Sequence, residues 1–336
     1  MRIGHVVPLI AKRYTNPATR NRALFLKGKS GIGKSQTIKQ ASDLLAQHIP
    51  NWQGVIDLRL SQMEPTDLRG IPVEKDGKTH WLAPSFLPEP DTAGFILFDE
   101  ITSATPSIQA AAYQYILDRC MGEHKIPDGW MVLAAGNLTS DRGVTFQMAA
   151  PLLNRMCEVT VTTVLDDFIN YALPAGCRPE VISFLKDRPE FLHKFEGKGA
   201  IEPFPTPRSW FAVSDGLALD LQPADRIEML TGEIGYEAAT TFETHLRFWE
   251  TLPRIEDILA GKTPTIAKDL QIQYAVCMGV AARVTAATFD NAWKTLEHMP
   301  RELQTLTVKL AYKRDKGLAA APAFTAWAAA NQSAFR

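Results

Sequence analysis

The chain has 336 residues, 46% of them hydrophobic, and its 36 basic and 37 acidic side chains leave a formal charge of −1. That is enough for two domains, or one large domain with a satellite, each with a filled core. Near-neutrality excludes an overall electrostatic drive toward nucleic acid or anionic lipid. No apolar run reaches the ~18 residues of a membrane span. The four cysteines, Cys120, Cys157, Cys177 and Cys277, are scattered without C-x-x-C spacing or adjacent histidines. Reduced structural thiols in a soluble, cytoplasmic protein are expected.

In chain order, the basic residues Lys12, Arg13, Arg20 and Arg22 read as a solvated N-terminal arm. Ala23 to Lys27 is a short buried strand. Residues Gly28, Lys29, Ser30, Gly31, Ile32, Gly33, Lys34 and Ser35 spell GKSGIGKS, a full match to G-x-x-x-x-G-K-[ST], and Gln36 opens a helix that runs to Gln47. A strand, a glycine-rich turn and a helix in this order form a phosphate cradle. Backbone N–H groups and the helix N-terminus face the anion, Lys34 neutralises the β- and γ-phosphates, and Ser35 binds Mg²⁺. Further strands are expected at Val55 to Leu60, Phe95 to Phe98, Trp130 to Ala135 and Glu158 to Thr162. A helix is expected from Thr105 to Cys120, with Thr105 as cap and Pro106 at its first position. Short apolar strands alternating with helices predict a parallel sheet covered on both faces, with ligands beyond the strand C-termini.

Two hairpins decorate this plan. Val73 to Trp81 turns at Asp76-Gly77, and Met121 to Trp130 contains Gly122 and Pro127-Asp128-Gly129. Each is either a surface excursion or a device that touches a partner. After about residue 165 the pattern becomes helical: Asp166 to Ala172, Glu180 to Lys186, a Gly/Pro-rich connector from Gly197 to Pro207, then helices from Arg208 onward. The Ala-rich tail from Gly317 to Phe335 reads as a docking helix.

Phe95-Ile96-Leu97-Phe98-Asp99-Glu100 delivers two carboxylates from a buried strand to the ligand edge. Asp99 would hold Mg²⁺ through water, and Glu100 would polarise the attacking water. The strand at Met131 to Ala135 ends in Gly136-Asn137, an amide placed to hold that water or sense the γ-phosphate. Arg155 is set in the otherwise apolar Pro151 to Met156, and a permanently charged, planar fork suits phosphate. Thr206-Pro207-Arg208 opens a helix with Thr206 as cap, which would turn Arg208 toward the nucleotide cleft.

This order of motifs resembles the AAA+ ATPases, specifically the MoxR-like and dynein-related branch with its helix-2 and pre-sensor hairpin inserts, over about residues 20 to 250. The resemblance implies an α/β fold, an AAA+ αβα sandwich with a parallel five-stranded sheet followed by a helical lid. It divides the chain into residues 1–165, a connector at 166–206, a lid at 207–316 and a tail at 317–336. It implies ATP and Mg²⁺ as ligands. Lys34 and Ser35 then look like Walker A, Asp99 and Glu100 like Walker B, Asn137 like sensor 1, Arg155 like an arginine finger and Arg208 like sensor 2. Glu64 to Gly70 with the Val73 to Trp81 hairpin resembles the helix-2 insert, and Gly122 to Asp128 the pre-sensor hairpin.

The resemblance places such a finger on the far side of the sheet from its own nucleotide and so implies a homo-oligomeric ring, a hexamer, in which Arg155 completes a neighbour's site. Such relatives remodel protein clients, often with a von Willebrand factor A domain partner. The run Gly136 to Gly143 is similar instead to a stretch of the GTP-using McrB restriction motors. That keeps a nucleic-acid-associated NTPase as the alternative, although the chain has no N-K-x-D guanine-reading motif.

Overall fold

The structure is a computed structural model that describes residues 1–121, 124–138, 146–195 and 202–331. The chain forms two compact units, Met1–Val164 and Leu165–Arg336.

In the first unit the N-terminal segment is helical where a solvated arm was expected. Helices α1 (Val6–Thr15) and α2 (Pro17–Arg20) precede the first strand, and Val6, Ile10 and Tyr14 are buried at a spacing of one helical turn. The basic residues serve this packing. The Arg13 guanidinium donates to the carbonyl of Arg22 at 2.9 Å, that of Arg22 donates to Asn154 and Met156, and Arg20 lies over the Tyr14 ring at 5.4 Å.

Strands β1 (Leu24–Lys27) and β2 (Trp52–Arg59) flank helix α3 (Lys34–Ala46) in sequence. Helix α4 (Pro65–Arg69) begins with a capping box between Glu64 and Asp67. The hairpin of β3 (Ile71–Lys75) and β4 (Lys78–Leu82) turns at Asp76 and Gly77 as expected. Both have positive φ, 54° and 72°, as a two-residue type I′ turn requires.

Strand β5 (Ala93–Asp99) is followed by α5 (Pro106–Asp118) with Thr105 before Pro106. The second hairpin pairs β6 (Cys120–Met121) with β7 (His124–Lys125), so it ends earlier than the sequence suggested. Pro127 to Gly129 forms instead the turn into β8 (Trp130–Gly136), where the Trp130 amide donates to the Pro127 carbonyl at 3.0 Å. Gly122 at the hairpin tip lies outside the described residues. Helix α6 (Ala150–Arg155) then leads to β9 (Cys157–Thr160).

Five strands form one parallel sheet in the order β2-β5-β8-β1-β9. Their side chains alternate between two cores, which makes an αβα sandwich. Leu24, Leu26, Leu97 and Leu133 pack with Ile10, Ile38 and Leu45 of α1 and α3 on one face. Phe25, Phe98 and Val132 pack with Ile108, Ala112 and Tyr115 of α5 on the other.

The second unit is built of helices: α7 (Leu165–Ala172), α8 (Pro179–Asp187), α9 (Pro207–Gly216), α10 (Pro223–Ile234), α11 (Tyr236–Glu250), α12 (Ile255–Leu259), α13 (Leu270–Arg283), α14 (Phe289–Leu296), α15 (Arg301–Arg314) and α16 (Pro322–Ala330). They share one core around Phe184, Trp210 and Phe242, which also takes Phe324 and Trp327 of the tail helix. Residues 197–201 of the expected connector and 332–336 of the tail lie outside the described residues. Among the described residues no helix is long and apolar enough to cross a membrane.

Candidate functional site

The phosphate-type loop leaves the C-terminal end of β1, between β8 and β9. Its first residue is fixed to the neighbouring strand, because the Gly28 amide donates to the Gly136 carbonyl at 3.2 Å. A side chain at residue 28 has no room: a Cβ there would lie 2.7 Å from the Val161 carbonyl oxygen and 2.8 Å from Ile32 Cδ1. Gly33, the residue before α3, has φ 93°, a left-handed conformation that any L side chain would strain.

Lys34 is only 8% exposed. Its ammonium folds back over the loop and donates to the Gly28 and Lys29 carbonyls, both at 2.8 Å, and to Asn137 Oδ1 at 3.0 Å. This buried cation is held by three oxygens at the start of a helix, where the macrodipole favours an anion. Gln36, also assigned to the site from the sequence, is exposed on the first turn of α3.

The acids arrive from β5. The Ser35 hydroxyl donates to Asp99 Oδ2 at 2.6 Å, so the two residues expected to share a cation are already in contact. Asp99 Oδ1 accepts from the Glu100 amide at 2.8 Å. The chain turns sharply there, with Glu100 at φ 56°, an unusual conformation for a non-glycine residue that carries about 1–3 kcal/mol of strain. Its carboxylate Oε2 accepts a hydrogen bond from the Ser61 hydroxyl, which belongs to the short 3-10 turn after β2.

Strand β2 also carries Asp57, whose carboxyl pKa is raised, first by desolvation and then by the charge of Asp99. Asn137 follows the last residue of β8. Its amide nitrogen donates to the Thr102 hydroxyl at 2.9 Å while its side chain meets Lys34.

Lys34, Ser35, Asp99, Glu100 and Asn137 thus converge at one edge of the sheet. Within the first unit, one expected site residue does not join them. Arg155 is exposed at the end of α6, and the following β9 runs away from it toward the loop, with Thr160 beside Lys27. Arg208 is exposed at the second position of α9, in the second unit, after a Thr206 cap that accepts from the Ser209 amide at 3.1 Å. The run Thr139 to Gly143 lies outside the described residues. Ser61 and Thr102 were not found from the sequence. Ser61 could have been, since it lies just beyond the end of the strand next to the Asp99-Glu100 strand.

Residues 23–156 match the family described as the AAA domain of the dynein-related subfamily. The chain carries a dynein-related AAA domain. This AAA domain is the module of a nucleotide-binding ATPase family, and it spans the loop, the acid pair, Asn137 and Arg155.

Solved structures similar to the chain include a candidate ATPase from Cytophaga hutchinsonii, at 15% identity over 72% of this chain and 88% of that one, with a TM-score of 0.32. NtrX from Brucella abortus in complex with ADP aligns at 13% identity over 98% and 68%, with a TM-score of 0.39. A RuvB variant from Thermotoga maritima aligns at 11% over 82% and 81%, with a TM-score of 0.39. No curated protein matches the chain at a significant level.

Proposed function

We propose that the AAA domain hydrolyses ATP with Mg²⁺ as part of a ring motor of the MoxR-like kind. The ring is a homo-oligomer, most simply a hexamer, that remodels a protein client together with a von Willebrand factor A domain partner. The observation that carries the hydrolytic part is the meeting of Ser35 with Asp99 at 2.6 Å beside a Lys34 already bound to Asn137 at 3.0 Å.

The donor set fits a hard divalent cation, a hydroxyl and a carboxylate on the phosphate side of a buried ammonium. Ser35 and Asp99 would hold Mg²⁺, which would supply positive charge to offset that of the phosphates. The loop residues Gly28 to Gln36 would bind the phosphates, with Lys34 as principal cation. Glu100 accepts a proton from the attacking water, and the Ser61 hydroxyl sets the direction of its carboxylate. Asn137 holds the γ-phosphate end through the same side chain that now meets Lys34.

The ring follows from Arg155. Strand β9 spans about 10 Å between Cys157 and Thr160, and Arg155 lies before it, at the end opposite the loop. An arginine there is of use to a neighbouring subunit's nucleotide, and Arg208 of the helical unit is assigned to its own. Near-neutral charge supports a protein client over a nucleic-acid track.

The test is phosphate release from ATP and from GTP by the purified chain, followed by capture of partners on Glu100→Gln in ATP. Absence of turnover with either nucleotide would refute the enzyme assignment. Nucleic acid in place of protein on the trapped variant would refute the client class.

A further inference from the structure

Thr102 is 5% exposed, has no expected role in nucleotide chemistry, and joins the two halves of the site. It belongs to the turn that carries Glu100. The Ser103 amide donates to the Glu100 carbonyl at 2.8 Å, and the Ile101 amide donates to Ala135 of β8 at 3.1 Å. Buried Gln109 of α5 donates to the carbonyls of Ile101 at 3.1 Å and Ala104 at 3.2 Å. These bonds fix the turn's main chain from two sides.

From this platform the Thr102 hydroxyl accepts the Asn137 amide at 2.9 Å, and its carbonyl accepts the Phe146 amide at 2.7 Å. Its side chain also occupies the space where a Cβ of Gly136 would stand, 2.7 Å from Cγ2 and 2.9 Å from Oγ1.

The need for a hydroxyl is physical. The β5–β8 ladder ends at Phe98 and Ala134, because β5 leaves the sheet at the positive-φ Glu100. The Asn137 amide therefore has no strand partner on that side, and an amide partly withdrawn from water is costly to leave unpaired. The Thr102 hydroxyl takes the place of the missing strand.

We infer that Thr102 is a positioning residue of the hydrolytic site: its hydroxyl locks Asn137 to the turn that bears Glu100, so water activation and γ-phosphate contact share one rigid mount. This rests on the hydrolytic reading above. Lys34 keeps the Gly28 and Lys29 carbonyls without Asn137, so nucleotide binding is separable from the lock.

The experiment compares Thr102→Val, which keeps the shape and loses the hydroxyl, with Thr102→Ser, which keeps the hydroxyl and loses the methyl group. Both are made in the full chain. A displacement of about 1 Å in a catalytic group costs up to ~100-fold in rate, so Thr102→Val should lower kcat by roughly 10- to 100-fold. Its ADP affinity and KM should stay within about two-fold, and Thr102→Ser should turn over within about three-fold of the parent. Thr102→Ala, which adds no atom, is the second hydroxyl-free variant should the valine protein not fold.

A hydroxyl-free variant with the parent's kcat would overturn the role of Thr102, as would a serine variant as slow as the hydroxyl-free ones. If the parent itself releases no phosphate, the hydrolytic reading falls instead.

Discussion

Arg155 allows the sharpest test of the proposed intersubunit site, because β9 separates it from the loop of its own subunit. It ends α6, with Met156 alone between it and β9, and β9 pairs with β1 so that Cys157 lies beside Leu24 and Thr160 beside Lys27. The loop starts where that ladder finishes. At about 3.3 Å per residue the strand alone puts ~10 Å between Arg155 and the loop, more than the side chain can cover around packed main chain. Arg155→Ala should therefore leave nucleotide affinity unchanged and reduce turnover by about 10³- to 10⁵-fold, the worth of an arginine supplied in trans. Lys34→Ala should be equally inactive for a different reason, loss of the phosphate cation. Mixed in equal amounts and randomly assembled, the two proteins place an intact loop against an intact Arg155 at about one interface in four. At equal amounts the mixture should then recover about a quarter of the parent rate in a phosphate-release assay, with less at every other ratio. If no ratio restores turnover, or if Arg155→Ala alone turns over at the parent rate, the trans assignment is wrong.

Three further outcomes are expected. Glu100→Gln should bind ATP and accumulate assembled rings while losing turnover by about 10²-fold or more, read by size-exclusion chromatography and phosphate release; a parent-like rate would show the base is misassigned. Gly28→Ala should cost roughly 1–3 kcal/mol of overpacking against the Val161 carbonyl, seen as a lower urea midpoint and lost nucleotide binding; unchanged affinity would contradict the close approach. In the helical unit His245 is buried beside Phe184 and Phe242, and burial lowers its pKa from the usual 6.5. The unfolded chain therefore takes up the proton first as pH falls. The stabilisation is complete above about pH 6.5 and is lost from there down toward the lower folded value. Thermal unfolding should show this slope in the parent, and His245→Gln should flatten it.

What could be read from the sequence was whatever is local. The GKSGIGKS loop, the four apolar residues before Asp99-Glu100 and the Asp76-Gly77 turn each combine conformation and chemistry within a few residues, and the structure has each where the pattern put it. The helix of Val6, Ile10 and Tyr14 has the right period, but the four basic residues Lys12, Arg13, Arg20 and Arg22 favoured an arm. Those arginines lie along packed main chain, because a long side chain can bury its stem while its head finds carbonyls. Thr102 had no signal at all, and Ser61 had only its place just beyond a strand end. A hydroxyl in a loop matches nearly any background, and the meaning of these two comes only from strands brought together from distant parts of the chain.

That long-range step is register. Lys27 lies beside Gly136 and Thr160, and Arg59 beside Asp99, so strands far apart in sequence end at the same level. Each one's next few residues then supply the site: Gly28 after β1, Ser61 after β2, Glu100 after β5 and Asn137 after β8. A parallel sheet can gather such residues because every strand points the same way. The same polarity puts whatever precedes a strand at the opposite edge, and Arg155 precedes β9. The five-stranded architecture that assembles the loop, acid pair and amide thus also separates them from the arginine, and under the proposed function a site needing all four would have to be completed across a subunit boundary.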